Sequence, residues 1–171
     1  MAAFTPENAI VVNEAATTGF TWNAVHASKA APHTMLFITG GAIGQGLPNA
    51  LGAALACPER RVIAFQADGS GLYTPQALWS IARESADVTV VVCANRRYRI
   101  LQAELARAGI KDPGPKARAL TDLTRPVIDW VELARGFGVP ACSVRTDSEF
   151  AGAFVRALAE SGPNLIEAVL T

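Results

Sequence analysis

The sequence predicts an α/β protein in which a doubly wound parallel sheet is covered by helices on both faces. Short strand-like runs of apolar residues alternate with segments that have helical patterns, and this alternation is typical of parallel sheets joined by crossover helices. The chain has 171 residues, of which 50% are hydrophobic, so it can bury a sizeable core. We expect residues 1–171 to form a single domain, because no internal repeat and no linker divides them.

The individual elements follow from local signals. Pro75 lies in the first turn of one predicted helix, Asp129 can cap another, and Gly138 marks the end of that second helix. The predicted strands are residues 9–12, 35–38, 61–66, 88–93, 141–144 and 164–170, and the predicted helices are residues 18–28, 48–57, 75–85, 98–108, 129–137 and 147–161. Residues 109–126 are rich in proline and poor in large apolar side chains, which predicts a long loop.

Composition excludes several function classes. The chain has 15 basic and 15 acidic residues, and its small basic cluster (Arg96, Arg97 and Arg99) is too isolated for nucleic-acid binding. That cluster is expected to lie in a solvated loop or to face an anionic ligand. No stretch reaches the roughly 18 apolar residues of a membrane span, so we expect a cytoplasmic protein with no membrane segment.

Histidines and cysteines do not indicate a zinc site. His26 and His33 have no third ligand nearby, so we expect them on a helix surface or in the core. The cysteines are odd in number and lack CxxC spacing, which predicts buried thiols in a reducing compartment; they are Cys57, Cys93 and Cys142.

Polar residues follow two neighbouring predicted strands. Asp68-Gly69-Ser70 comes just past strand 61–66, and Asn95 comes just past strand 88–93. The helix between them completes a βαβ unit, whose right-handed crossover puts both strand ends at one edge of the sheet, where open α/β sheets bind ligands. One carboxylate and one amide suit a magnesium ion that takes its other oxygens from water and a diphosphate, which Gly69 would allow to approach the backbone.

These residues resemble the signature of thiamine diphosphate-dependent enzymes, in which Gly-Asp-Gly is followed, after a gap of this length, by Asn-Asn. The resemblance implies that Mg²⁺ is bound by Asp68, by Asn95 and by the backbone carbonyl of Arg97. Ala67 and Ala94 depart from the signature, at positions that the family does not use as side-chain metal ligands.

A glycine-rich run at residues 40–48 is similar to the segment that precedes the diphosphate site in acetolactate synthases and benzoylformate decarboxylases. The resemblance implies that Ile43 props the cofactor into a bent shape and that the carbonyl of Gly41 accepts a hydrogen bond from its aminopyrimidine. The implied contacts with thiamine diphosphate are Gly41, Ala42, Ile43, Asp68, Gly69, Ser70 and Asn95.

The resemblance extends over nearly the whole chain and implies an activity. We expect a domain or subunit of an acetolactate synthase-like enzyme, which decarboxylates a 2-oxo acid and transfers the intermediate to an acceptor. Two alternatives stay open: a benzoylformate or other 2-oxo acid decarboxylase, and a non-catalytic regulatory or binding subunit that retains the fold.

The same resemblance implies a partner. In the family, the glutamate that activates the cofactor lies on a separate pyrimidine-binding domain, across a subunit interface, and the sequence has no counterpart of that domain. We therefore expect a partner domain or subunit, within a homo- or hetero-oligomer. Glu14 matches a family position in this domain and is interpreted as a post-strand turn residue. Since the family places the region of residues 109–126 over the active site, this loop is predicted to be a lid.

Overall fold

A parallel six-stranded sheet forms the centre of the protein, in a computed structural model that describes residues 1–170 and, for residues 27 and 28, the backbone alone. The strands are β1 (Ile10–Glu14), β2 (Thr34–Phe37), β3 (Val62–Ala67), β4 (Val88–Ala94), β5 (Ala141–Val144) and β6 (Asn164–Val169). The helices are α1 (Ala16–Lys29), α2 (Gly46–Ala56), α3 (Asp68–Gly71), α4 (Ala77–Arg83), α5 (Arg99–Arg107), α6 (Pro115–Leu120), α7 (Trp130–Gly136) and α8 (Asp147–Ala159). Short 3-10 helices occur at Ala2–Phe4 and Thr39–Gly41.

The strand order is β2-β1-β3-β4-β6-β5, and every neighbouring pair is parallel. Helices α1 and α8 pack on one face of the sheet, and α2, α4 and α7 pack on the other. This arrangement confirms the predicted doubly wound α/β fold. From β1 the chain connects to β2 on one side, and from β3 it connects to β4 on the other side. The strand order therefore reverses between β1 and β3, and folds of this kind bind ligands in the crevice at the carboxyl ends of two such strands.

Burial on both faces explains why the central strands are continuous apolar runs. Along β4, Val90 packs under α2, α4 and α7, whereas Val91 packs under α1 and α8. Strands covered on both sides have no polar face, and each residue of β3 and β4 is buried. The few polar residues of β1 and β3 therefore stand out, above all Glu14 and Gln66, which are neighbours in the parallel register.

Two helices differ from the sequence prediction. The predicted loop at residues 109–126 contains α6, because Pro115 fits the first turn of a helix and Lys116–Leu120 has good helix-forming residues. Asp68–Gly71 forms the single-turn helix α3, although its two glycines make it a poor helix by propensity. The other predicted strands and helices are confirmed within a few residues at each end.

Several smaller expectations also have outcomes. The Asp129 side chain caps α7 by accepting a hydrogen bond from the Glu132 amide at 2.9 Å, as predicted. Cys93 is buried, but the expectation of buried thiols is wrong for Cys142, which is exposed on the edge strand β5. His26 is a core residue with 3% of its surface exposed. No helix in residues 1–170 combines the length and the apolar character needed to cross a bilayer.

Candidate functional site

Asp68 lies at the carboxyl end of β3 and begins α3. Its carboxylate is buried, with 2% of the residue exposed, and both oxygens accept backbone hydrogen bonds. Oδ1 accepts from the amide of Gly69 at 2.9 Å, and Oδ2 accepts from the amide of Arg96 at 2.5 Å. The second bond joins the end of β3 to the loop after β4, so the structure brings the Asp68 turn and the Asn95 loop together, as the βαβ spacing predicted.

The loop after β4 is held in a tight turn. Asn95 is half-buried, and its side-chain oxygen accepts a hydrogen bond from the Arg97 amide at 3.0 Å. Arg96 has a φ of 58°, a left-handed conformation that is uncommon for a residue with a side chain and that often occurs at functional sites. The carbonyl of Arg97 accepts from the amide of Arg99 at 2.9 Å and keeps a second lone pair.

Tyr98 and Trp130 explain why glycines occupy α3. A Cβ at Gly69 would lie 2.4 Å from the Tyr98 ring, and a Cβ at Gly71 would lie 2.8 Å from the Trp130 ring. Neither distance is compatible with a side chain at these positions, so both aromatic rings pack directly on the backbone. The Ser70 hydroxyl points to the neighbouring strand, where it donates to the carbonyl of Glu14 at 3.1 Å.

The glycine-rich run lies between β2 and α2. Gly41 and Ala42 are exposed, and Ile43 is half-buried. Gly40 and Gly41 have φ values of 64° and 71°, and nothing lies within 4 Å of the place where a Cβ would be. Their backbone is therefore open to a ligand.

The side chain of Gln45 closes the turn that contains these glycines. It donates to the carbonyl of Ala42 at 2.8 Å and to the carbonyl of Thr39 at 3.1 Å. On the other side of the run, the Thr74 hydroxyl donates to the carbonyl of Gly44 at 2.9 Å. The run thus contacts the segment that follows Asp68.

Glu14 has a larger structural role than the interpretation as a post-strand turn residue assigned to it. It ends β1, is 1% exposed, and accepts hydrogen bonds from the amides of Gly44 at 2.8 Å and Gly46 at 2.5 Å. One sequence signal was available: an acidic residue follows the apolar run of the first predicted strand after a single intervening residue, Asn13.

Burial dominates the electrostatics of both carboxylates. It raises the pKa of Asp68, although hydrogen bonds from the amides of Arg96 and Gly69 act to lower it, and the carboxylate of Glu167 on β6 raises it further. Burial also raises the pKa of Glu14, against the hydrogen bonds from Gly44 and Gly46. Neither carboxylate forms an ion pair with any Lys, Arg or His in the described part of the chain.

The residues present fit a hydrated magnesium ion. Each Asp68 oxygen accepts one hydrogen bond and keeps lone pairs, and a buried carboxylate without a cationic partner is stabilised by a bound cation. Within residues 1–170, no group of three His, Cys, Asp or Glu side chains is placed to hold a metal. Mg²⁺ is bound through one or two carboxylates plus water and phosphate oxygens, and Asp68 supplies one such carboxylate.

An anionic cofactor also fits this loop. The Nε of Arg96 is buried and has no hydrogen-bond partner among the described residues. Arg97 and Arg99, the rest of the basic cluster, are exposed. A cavity of about 820 Å³ lies between α1 and α8, on the face of the sheet opposite α2; Arg99 lines it, but neither Asp68 nor Asn95 does.

A comparison with known families agrees with this geometry. The family described as thiamine pyrophosphate enzyme, C-terminal TPP binding domain, matches residues 16–168. The chain belongs to this family. The resemblance inferred from Asp68, Asn95 and the glycine-rich run is therefore confirmed at the level of the family.

Relatives and solved structures give the same result. A Mycobacterium tuberculosis protein, IlvX, whose name assigns it as an acetolactate synthase large subunit, is 50% identical over 169 residues, which is 98% of this chain and 33% of that protein. Benzoylformate decarboxylase of Pseudomonas aeruginosa is 36% identical over 96% of this chain and 30% of its own length. The structure of a thiamine diphosphate-dependent 4-hydroxybenzoylformate decarboxylase from Rhodococcus jostii superposes with a TM-score of 0.86 and 35% identity, over 99% of this chain and 31% of that one.

The chain spans about a third of the length of the relatives that it matches. The family assignment therefore applies to a cofactor-binding domain. Burial raises the pKa of Cys93 to about 12, so its thiol stays protonated near neutral pH.

Proposed function

We propose that this chain is the diphosphate-binding and magnesium-binding part of a thiamine diphosphate-dependent enzyme that decarboxylates a 2-oxo acid and transfers the intermediate, as an acetolactate synthase does. The observation that supports it most is the buried Asp68 carboxylate, which lies at a carboxyl edge of the sheet, has no cationic partner in the described chain, and is hydrogen-bonded to the Asn95 loop.

Asp68, Asn95 and the backbone carbonyl of Arg97 are the proposed magnesium ligands. The two side chains supply hard oxygen donors, which Mg²⁺ prefers. Gly69 and Ser70 would lie beside the diphosphate, and Arg96 has a buried donor that suits an anion. When bound, thiamine diphosphate supplies the carbanion chemistry of 2-oxo acid decarboxylation. The residues of this chain would bind and orient it.

Gly41, Ala42 and Ile43 are proposed to contact the pyrimidine end. Gly41 presents an open backbone with a positive φ, and the half-buried Ile43 supplies an apolar side chain next to it. A pyrimidine-binding domain or subunit is proposed to supply the activating glutamate, within a homo- or hetero-oligomer. Since the relatives are about three times as long as the matched region, the substrate and the partner belong to the whole enzyme.

A benzoylformate or other aryl 2-oxo acid decarboxylase is the second candidate. It is favoured by the two aryl 2-oxo acid decarboxylases that match this chain at 36% and 35% identity. The acetolactate synthase-like function is favoured by the 50% identity to IlvX, which is named as an acetolactate synthase large subunit. Incubation of the assembled enzyme with pyruvate and with benzoylformate separates the two candidates. An acetolactate synthase-like enzyme would form a coupled product, whereas a decarboxylase would release an aldehyde.

The proposal is tested by titrating thiamine diphosphate into the chain by calorimetry, with Mg²⁺ and with a chelator. The expected result is magnesium-dependent binding that Asp68→Ala abolishes. The control is Glu59→Ala, which removes an exposed carboxylate just before β3, at the opposite edge of the sheet. Equal binding by Asp68→Ala and Glu59→Ala would contradict the proposed metal site.

A titration with no binding by the wild-type chain has to be repeated with a pyrimidine-binding domain present. Recovery of binding would support a site completed at the interface. Continued absence of binding would refute the proposed function and favour the regulatory subunit, for which Ala67 and Ala94 are the departures from the family signature.

A further inference from the structure

The Glu14 carboxylate is an unusual feature of the core. It is almost fully buried, it has no cationic partner in residues 1–170, and its two oxygens bind the amides of Gly44 and Gly46. A carboxylate in such a place is costly unless hydrogen bonds compensate it. An apolar residue at this position would carry no such cost, so we attribute the charge to the two backbone amides that its oxygens bind.

The two hydrogen bonds fix the residues on either side of Gln45. The side chain of Gln45 in turn binds the carbonyls of Thr39 and Ala42. An unbroken set of hydrogen bonds therefore leads from the end of β1 to the turn that contains Gly41. The turn itself is open, exposed and rich in glycine, so it has little else to define its shape.

The backbone of Glu14 makes a separate contact. Its carbonyl accepts a hydrogen bond from the Ser70 hydroxyl at 3.1 Å. Glu14 thus contacts the glycine-rich run through its side chain and the Asp68–Gly71 helix through its main chain. These are the two segments to which the proposed function assigns the pyrimidine end and the diphosphate end of the cofactor.

We propose that Glu14 is a positioning residue, whose carboxylate sets the glycine-rich turn at the correct distance from the diphosphate-binding helix α3. This inference rests on the proposed function. It differs from a catalytic role for Glu14, because the carboxylate is turned toward backbone amides of its own chain and is shielded from solvent.

A substitution of the side chain leaves in place the hydrogen bond from the Ser70 hydroxyl to the main chain of Glu14, although the same hydroxyl also hydrogen-bonds the carboxylate. In Glu14→Gln, one acceptor oxygen is replaced by an NH₂ group that cannot accept from an amide. In Gln45→Ala, the same set of bonds is cut at the surface, with no change in the core, so this variant is informative even where Glu14→Gln folds poorly. Glu59→Gln is the matched control, an exposed glutamate away from the run.

The test compares two ligands, inorganic pyrophosphate and thiamine diphosphate, each titrated with Mg²⁺ into the full chain together with its pyrimidine-binding partner. Pyrophosphate reports on the diphosphate end alone. We expect both variants to bind pyrophosphate within about twofold of wild type. Thiamine diphosphate should bind at least about tenfold more weakly, because Glu14→Gln loses a hydrogen bond to a charged group and Gln45→Ala loses two neutral hydrogen bonds. Equal weakening for both ligands, or no weakening for either, would overturn the inference.

Hydrogen exchange measures the contact without any cofactor. At least one of the amides of Gly44 and Gly46 is expected to exchange at least about tenfold faster in Glu14→Gln than in wild type and Glu59→Gln, since glutamine keeps only one acceptor oxygen. Unchanged exchange would overturn the inference directly. If the wild-type chain binds no thiamine diphosphate even with its partner present, the proposed function is refuted. If the wild-type chain binds it and both variants bind it equally well, only the positioning role is refuted.

Discussion

Gly46 is the first residue of α2 and has no room for a side chain. A Cβ at this position would lie 1.8 Å from Nε2 of Gln66 and 3.0 Å from Cβ of Glu14. Gln66 is only 1% exposed, so its amide cannot turn out into solvent to make room. We therefore expect Gly46→Ala to push the start of α2 away from the sheet and to weaken the Gly46–Glu14 hydrogen bond.

The expected magnitude follows from two contributions. Overpacking a closed core costs about 1–3 kcal/mol. Weakening a hydrogen bond to a buried carboxylate costs about 1.5–3 kcal/mol. Because the helix shift that relieves the clash is the same shift that lengthens the bond, the two do not add fully, and we expect a loss of about 3 kcal/mol in the free energy of unfolding.

Gly52 provides a matched control in the same helix. It is exposed, and nothing lies within 4 Å of an added Cβ. Gly52→Ala should stabilise the protein by about 0.5–1 kcal/mol, since alanine is the better helix former. Urea denaturation gives the free energy of unfolding of both variants, and the two values are comparable when the m-values are equal.

Two results would refute the reasoning. One is a free energy of unfolding for Gly46→Ala within about 0.5 kcal/mol of wild type, which is the usual range for surface substitutions. The other concerns Gln66: if its side chain is the obstacle, Gly46→Ala should cost at least about 1 kcal/mol less in a Gln66→Ala background. An unchanged cost would mean that the amide of Gln66 is not what excludes the methyl group.

Three further predictions concern other parts of the molecule. Burial, followed by the nearby His33 and the amino terminus, lowers the pKa of His26 to about 4. The unfolded chain therefore takes up this proton first, and about 3 kcal/mol of stability is lost as the pH falls from about 6.5 to about 4; His26→Gln should remove that part of the pH dependence, and an unchanged acid profile would contradict it. Thr146 caps α8 in a capping box with Glu149, so Thr146→Ala should cost about 1 kcal/mol in thermal unfolding and Thr146→Ser almost nothing, whereas equal costs would exclude the cap as the cause. The predicted lid at residues 109–126 should be cut by trypsin more slowly when Mg²⁺ and thiamine diphosphate are bound, and equal cleavage rates with and without them would count against a lid.

The strands were predictable from sequence because burial on both faces leaves an unbroken apolar run. Val88–Ala94 is apolar apart from the buried Thr89, and its bounds match the prediction within one residue. Helix α6 was not predictable in the same way, since Gly114 and Pro115 suggest a loop, and only their position at the first turn makes them compatible with a helix. Local composition therefore identified the core of the fold better than its surface segments.

The site was predictable only in part for a different reason. Asp68 and Asn95 follow strands that a crossover connects, so topology alone implies that they meet, and the Asp68–Arg96 hydrogen bond joins their loops. The contacts of Glu14 with Gly44 and Gly46 depend on where the β2–α2 connection folds back, and no local pattern encodes that path. The packing of Gln66 against Gly46 has the same origin.

The all-parallel strand order also has a kinetic consequence. A parallel pair cannot form from a tight hairpin, because the chain must return along one face of the sheet to the other end before the next strand can pair. The segments around Glu14, Gly44, Asp68 and Arg96 lie on four different connections, so none of their mutual contacts can form within a single connection. Folding should then be slow, as expected for a topology dominated by non-local contacts. Recovery of ligand binding during refolding would consequently report the final assembly of the sheet, later than signals from the individual helices.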